Sequence, residues 1–100
     1  MHYRLRIAAN VWSQVDVIDS WWRINRPASP RLFREEFEAG LRQLEVAPLT
    51  SAAYGHAGQA SELRRLLLPR CRYFLYFEIA DDCVSVLAVW HASRGQGPTL

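Results

Sequence analysis

The chain has 100 residues, half of them hydrophobic, and a formal net charge of only +2. A chain of this size forms one domain with a core of moderate size, so residues 1–100 are assigned to a single domain. All twelve basic residues are arginine, and there is no lysine. Replacement of lysine by arginine throughout a chain is more typical of a GC-rich genome than of a phosphate-binding surface. A phosphate-binding surface requires the arginines to cluster. The composition leaves open whether the protein binds an anionic partner.

The sequence offers no sign of a membrane, a metal ion or a cofactor. No run approaches the roughly 20 apolar residues that span a bilayer, and the first residues lack the apolar segment and cleavage site of a signal peptide. We therefore expect a cytoplasmic protein. Cys71 and Cys83 do not lie opposite each other in the predicted hairpin, so free thiols are expected. His2, His56 and His91 show no metal-ligand spacing with either cysteine.

The first elements in chain order are a strand and a helix. Apolar residues alternate with His2 and two arginines, which predicts a strand over residues 2–8. Apolar residues at helical spacing then predict a helix over residues 9–24, lying on a sheet. Trp12, Val17 and Trp21 fall beside or outside its buried stripe. This apolar excess indicates either a wide buried face or a partner-binding surface.

A second helix follows a turn that contains two prolines. Ser29 is placed as its N-cap and Pro30 as its first residue, where the missing N–H costs nothing. The helix is expected to end near residue 44, with Phe33 and Phe37 in its inner stripe. The two helices joined by this turn predict a helical hairpin.

The second half of the chain predicts a loop and then three strands. The loop covers residues 47–60, and Tyr54 and His56 are read as solvated loop residues. Runs rich in leucine, β-branched and aromatic residues then predict an antiparallel meander over residues 63–68, 72–79 and 83–91. The predicted fold is α+β in two layers, β-α-α-β-β-β, with the helical hairpin packed on one face of an antiparallel sheet.

Strand alternation divides the side chains of this sheet between two faces. The helix-facing set is Leu75, Phe77, Ile79, Leu87 and Val89. The open face carries Arg65, Arg72, Phe74, Tyr76, Glu78, Val86, Ala88 and Trp90. A one-residue bulge would exchange Arg65 for Arg64. Such a face either binds a large anionic or mixed partner through guanidinium groups and rings, or only stabilises a half-exposed sheet by cross-strand pairs.

The order of these motifs resembles the RelE/ParE superfamily, the toxins of bacterial type II toxin–antitoxin modules. The resemblance rests on Leu63-Arg-Arg-Leu-Leu-Leu, Arg72-Tyr-Phe-Leu-Tyr76 and Val84-Ser-Val-Leu-Ala-Val-Trp-His91-Ala-Ser-Arg94. In that family an arginine precedes the second strand, a tyrosine ends the third, and the last strand leads into His-x-x-Arg. Trp21-Trp22-Arg23 resembles a ParE-like branch of plasmid stabilisation proteins. The resemblance also implies a first strand beside the last.

For function, the resemblance implies a growth-inhibiting toxin of the ParE-like kind, which binds DNA gyrase and performs no chemistry of its own. The face expected to meet the target comprises Arg65, Arg72, Tyr76, Trp90, His91 and Arg94. The alternative is a RelE-like endoribonuclease that cleaves mRNA on the ribosome, with Arg64, His91 and Arg94 as candidate catalytic residues. That set is incomplete, because Tyr73 stands where the third-strand arginine of the family aligns. A non-toxic interaction domain that keeps the fold is a third possibility.

The resemblance finally implies a cognate antitoxin whose disordered C-terminal segment folds on binding. The surface expected to bind this antitoxin comprises Trp12, Val17, Trp21, Trp22, Phe33 and Phe37. The alternative is that these residues pack inside the monomer or a homodimer.

Overall fold

The computed structural model describes residues 2–53, 62–94 and 97–98. Its elements in chain order are β1 (Arg4–Ile7), α1 (Ala9–Asn25), α2 (Leu32–Val46), a short 3-10 helix (Pro48–Thr50), β2 (Ala52–Ala53), β3 (Glu62–Leu68), β4 (Tyr73–Ala80) and β5 (Cys83–His91). The predicted succession of elements is confirmed, and β2 is an additional two-residue strand. Tyr54 and His56, predicted as loop residues, lie outside the described residues. Among the described helices, none is both long and apolar enough to cross a membrane.

The strands form one sheet in the order β1-β5-β4-β3-β2. Neighbouring strands are antiparallel except for β1 and β5, which run parallel, with Arg4 opposite Cys83 and Ile7 opposite Val86. The first strand therefore lies beside the last, as the resemblance implied. The α+β fold is confirmed, with a mixed sheet in place of a wholly antiparallel one.

Helix α1 lies along the C-terminal half of β5. Strand β1 ends opposite Val86, so among the described strands none lies beside the following residues of β5 on that edge. Two side chains of α1 supply the missing partners. The amide of Asn10 donates to the Leu87 carbonyl at 3.5 Å, and the Gln14 side-chain oxygen accepts the Val89 N–H at 3.1 Å. The contact residues advance along both elements together, from Asn10 to Gln14 in α1 and from Leu87 to Val89 in β5. Helix α1 therefore runs in the same direction as β5, and its last turns reach the end of the sheet where β5 stops.

A bulge corrects the predicted division of β5 between its two faces. Tyr76 pairs with Ala88, but the next residue, Phe77, pairs with Val86, so Leu87 is an extra residue in β5. Val86 is wholly buried in the core. The predicted placement of Val86 on the open face and of Leu87 among the helix-facing residues is therefore wrong, because a bulge shifts the alternation by one residue.

Both helices pack on the same face of the sheet. The core brings together Val11 and Val15 of α1, Phe33, Phe37 and Leu44 of α2, and Leu75, Phe77, Val84, Val86 and Val89 of β4 and β5. Helix α2 lies close to the sheet at Gly40, where an added Cβ would lie 2.9 Å from Leu68 Cδ2. A glycine is thus needed at this position for close packing.

The second helix begins later than predicted. Ser29 is not its N-cap: the residue before the helix is Arg31, which makes no side-chain capping bond. Ser29 instead lies in a turn, where its N–H donates to the Arg26 carbonyl at 3.0 Å and its carbonyl accepts the Leu32 N–H at 3.2 Å. These local bonds hold residues 27–31 outside the helix.

Candidate functional site: a basic cleft at the end of the sheet

An open cleft of about 610 Å³ lies between the last turns of α1 and the end of the sheet. Its lining residues are Val17, Ile18, Trp21, Trp22, Arg26, Arg70, Cys71, Tyr73, His91 and Arg94. They come from α1, from the turn between β3 and β4, from the first residue of β4 and from the end of β5. The alignment of α1 with β5 brings these four segments together.

Three arginines give the cleft a positive charge. Arg26 follows α1, Arg70 lies in the turn after β3, and Arg94 follows β5. In the described part of the chain, none of these three guanidinium groups takes part in an ion pair. The Arg26 guanidinium lies 4.9 Å from the Trp21 ring centroid, and that of Arg94 lies 4.3 Å from the Trp90 ring. Arg26 also donates one N–H to the Asn25 carbonyl at 3.1 Å. The cation–π contacts use the faces of the guanidinium groups, so their other N–H donors can meet an anion.

His91 stands on the helix-facing side of the sheet, opposite Tyr73. Its ring packs edge-to-face on the Tyr73 ring, with centroids 4.8 Å apart. The backbone N–H of Ser93 donates to Nδ1 of His91 at 3.1 Å. Nδ1 also lies 2.7 Å from the Ser93 hydroxyl oxygen, so Ser93 fixes the orientation of the ring through both its backbone and its side chain. Burial raises the pKa of Tyr73, and nearby Cys71 adds to this, whereas Arg94 partly opposes it.

The wall that carries Arg70 is fixed by a carboxylate of α2. Glu36 accepts the Arg70 N–H at 3.0 and 3.1 Å and the Cys71 N–H at 2.7 Å. Arg72 then adopts a left-handed backbone, with φ of 66°, and its carbonyl accepts the Ala92 N–H at 2.7 Å. Arg72 was predicted to lie on the open face as the first residue of its strand, but β4 begins at Tyr73, so strand alternation does not assign Arg72 to a face. Burial raises the pKa of Cys71 to about 12.

The open face of the sheet keeps only part of the predicted target-binding set. Arg65 lies opposite Tyr76, and Phe74 lies opposite Trp90, which confirms their shared face. The Arg65 guanidinium is 4.1 Å from the Phe74 ring centroid and 3.4 Å from the Tyr76 hydroxyl. Tyr76 is only 1% exposed, so its predicted role as an accessible contact residue is wrong. The accessible part of the set lies towards Trp90 and Arg94.

The three candidate catalytic residues do not meet in one site. Arg64 pairs with Phe77 in the middle of β4, whereas His91 pairs with Tyr73, the first residue of that strand. The Arg64 guanidinium donates to the carbonyl of Leu49, at 3.4 Å, and to that of Ser51. These bonds attach β3 to the segment after α2. His91 and Arg94 do share the cleft.

The residues predicted to bind an antitoxin separate into an exposed and a buried group. Trp12, Val17 and Trp21 are 41%, 70% and 45% exposed. Phe33 and Phe37 are wholly buried in the core.

The prediction that these two phenylalanines contact a partner is therefore wrong, because they lie between α2 and the sheet. Trp22 is partly buried against the same core, yet it also lines the cleft. Ile24, which the sequence interpretation did not single out, is 77% exposed and extends the apolar surface of α1.

Arg26 and Arg70 were also missed as site residues. Each stands next to the end of an element, which is the only local signal that the sequence gives. They line the same cleft as Arg94 because of the strand order and the direction of α1. The spacing of these residues in the sequence does not reveal either feature. In the described residues, no group of three or more His, Cys, Asp or Glu side chains is arranged to hold a metal ion.

Two helices on one face of a mixed sheet, with the first strand parallel to the last, define a RelE/ParE-like fold. A chain of the chromosomal ParDE TA system from P. aeruginosa matches with a TM-score of 0.73 at 13% identity, over 92% of this chain and 98% of that one. A chain of the archaeal RelE–RelB complex from Pyrococcus horikoshii OT3 matches with a TM-score of 0.63 at 19% identity, over 95% and 100%. No protein-family model and no curated protein sequence matches the chain.

Proposed function

We propose that this protein is the toxin of a type II toxin–antitoxin module and acts in the bacterial cytoplasm. The fold is shared, over nearly the whole chain, with chains of a ParDE system and of a RelE–RelB complex. The observation that carries the proposal is the apolar strip of Val17, Trp21 and Ile24, which are 70%, 45% and 77% exposed on α1. Such a continuous strip is typical of a protein-binding surface.

The proposed antitoxin contact is a segment that folds along α1. The three strip residues follow one another at helical spacing of four and then three, so they lie on one face of the helix. An apolar segment that covers this face offsets its ordering cost by removing indole and aliphatic surface from water. Trp12 stands at the N-terminal side of the same helix, in edge contact with Phe37 at 5.8 Å.

The substitution Trp21→Glu tests this contact. The antitoxin to use is the product of a small open reading frame adjacent to the toxin gene, co-expressed with the full chain. We expect Trp21→Glu to abolish the complex in size-exclusion chromatography while the circular dichroism spectrum is unchanged. Ser20→Glu is the matched control, because Ser20 is exposed and its replacement by glutamate adds the same charge one residue away from Trp21.

Two outcomes of that experiment contradict the proposal. A folded Trp21→Glu variant that still binds the antitoxin shows that α1 is not the contact surface. An unfolded Trp21→Glu variant beside a folded Ser20→Glu variant shows that the indole serves the monomer core.

For the target we propose ParE-like inhibition through binding of DNA gyrase. The support is the separation of Arg64 from His91 and Arg94, since residues that act together on one phosphate must converge on it. A protein whose catalytic candidates are dispersed inhibits better by binding than by cleavage. The accessible basic contact group is then Arg94 with Trp90, and Arg65 lies on the same open face.

One observation favours RNA cleavage as a second candidate function. His91 and Arg94 line the same cleft, which pairs a group able to move a proton with one able to stabilise phosphate charge. Controlled expression in a bacterium separates the functions. Growth arrest with DNA breaks and an SOS response supports gyrase, whereas codon-positioned transcript cuts that disappear in His91→Ala support cleavage. Soluble protein without growth arrest contradicts both and leaves a non-toxic interaction domain.

A further inference from the structure

We propose that the free protein forms a homodimer in which the α1 helices of two copies pack antiparallel along their exposed faces. The contact face is the α1 seam, which we define as Asn10, Ser13, Val17, Ser20 and Ile24, all of them exposed. This inference goes beyond the proposed function, because the dimer requires neither an antitoxin nor a cellular target. The second copy covers the apolar strip of α1 until an antitoxin segment displaces it.

The seam residues recur along α1 at the spacing of a surface on which two helices pack. They follow one another at intervals of three, four, three and four residues, which is the heptad spacing of helices that lie side by side. Val11 and Val15, which are wholly buried against the sheet, lie on the other side of the helix. Helix α1 is therefore fixed by one face and presents the seam on the opposite one.

An antiparallel arrangement places the large seam residues against the small ones. With the two-fold axis between residues 18 and 19, Val17 of one copy faces Ser20 of the second copy, and Ile24 faces Ser13. Large side chains that face small ones interdigitate and let the two helices approach closely. Trp21 flanks the seam, so the dimer removes its indole from water together with Val17 and Ile24, and this burial drives association.

The charges of α1 select the antiparallel direction. Its three charged residues, Asp16, Asp19 and Arg23, lie on one flank of the seam. In the antiparallel pair Asp16 of each copy lies beside Arg23 of the other, so the two-fold axis creates two pairs of opposite charge. A parallel pair would place Asp16 beside Trp21 and would form no such pair.

Both charged groups are available for these contacts. Asp16 is exposed and takes part in no ion pair among the described residues. Arg23 binds Asp19 of its own helix through Nε at 3.1 Å, which leaves its terminal nitrogens for a second carboxylate. The seam itself carries no charged residue, so its burial strands no charge.

The dimer is expected to be weak and reversible. Each copy contributes one helix of 17 residues, which is about 25 Å long. Such a contact lies at the low end of specific interface areas, so we expect a Kd of about 10 µM. An antitoxin segment that binds the apolar strip more tightly would therefore displace the second copy.

The test is sedimentation equilibrium of the full chain without antitoxin, at concentrations from about 1 to about 100 µM. Asp16→Arg and Arg23→Asp should each raise the dimer Kd at least about tenfold, because each change turns two attractive pairs into repulsive ones. The double variant restores both pairs with their signs exchanged, so its Kd should return to within about threefold of that of the natural chain. Glu35→Arg is the matched control, since it reverses an exposed charge on α2.

Ser20→Glu distinguishes the dimer from the antitoxin contact. It buries a glutamate at the centre of the seam and should dissociate the dimer, whereas it should leave the antitoxin complex intact. A monomeric natural chain at the highest concentration overturns the inference, and so does a dimer that survives Ser20→Glu. A double charge variant that is folded by circular dichroism yet stays monomeric, or equal weakening by Glu35→Arg, overturns it as well. These measurements contain no antitoxin, so their failure leaves the proposed antitoxin contact unaffected.

Discussion

Replacement of Gly40 by alanine tests how tightly α2 is packed on the sheet. Alanine favours a helix interior over glycine by about 1 kcal/mol. The new Cβ, however, would lie 2.9 Å from Leu68 Cδ2 and 3.1 Å from Leu75 Cδ1, and these side chains are 2% and 0% exposed. Because buried leucines have little room to move, overpacking should cost about 2 kcal/mol, within the usual range of roughly 1–3 kcal/mol. We expect Gly40→Ala to lower the free energy of unfolding by about 1 kcal/mol net.

The measurement is urea-induced unfolding followed by circular dichroism. Ala39→Gly is the matched control, because Ala39 is the exposed neighbour in α2 and reports helix propensity without a packing contact. Its substitution should lower the free energy of unfolding by about 1 kcal/mol. A Gly40→Ala variant that is more stable than the natural chain by that same amount would refute the packing argument. It would mean that the two leucines move aside freely and that glycine is not required there.

Three further predictions concern the turn between β3 and β4. Glu36→Ala should lower the free energy of unfolding by about 2 kcal/mol in urea unfolding, because the N–H groups of Arg70 and Cys71 lose a charged acceptor, and Glu36→Gln should cost less. Stability should fall as pH rises from 9 towards 12, because burial raises the pKa of Cys71 to about 12 and the folded state holds its proton more tightly; Cys71→Ala should reduce this loss in pH-dependent thermal melts. Arg72→Gly should stabilise the fold by up to about 1 kcal/mol, since φ there is 66°, and a loss of stability would show that the arginine side chain contributes contacts.

Local sequence patterns were sufficient to predict the two helices and four of the strands, but not the short 3-10 helix and β2 within the predicted loop, nor every boundary or the site. Apolar periodicity located α1 and the last three strands, because a helix or strand that covers one core must repeat its apolar residues at its own period. It failed at residues 30–31, which were predicted as the start of α2, because the backbone bonds of Ser29 compete with helix initiation. It also failed at Arg72, whose left-handed turn conformation leaves no periodic trace.

The cleft could not be predicted from such patterns, because its parts are distant in the chain. Arg26, Arg70 and Arg94 each follow a different element, and no spacing relates them. They meet because β1 pairs with β5 in parallel, which directs α1 along β5 and carries its last turn to the end of the sheet. The exposed tryptophans on α1 were identifiable from their position outside the buried stripe, whereas the burial of Phe33 and Phe37 follows from their place inside it.

The bulge at Leu87 connects the core to the cleft. Val84 and Val86 face the helices, so strict alternation along β5 would carry Trp90 to the same side and His91 to the open face. The extra residue reverses the alternation, and Val89 and His91 face the helices instead. The run Val-Leu-Ala-Val contains no polar residue that would reveal this change of phase. One inserted residue therefore lets the same strand bury valines at its start and present a histidine to the basic cleft at its end.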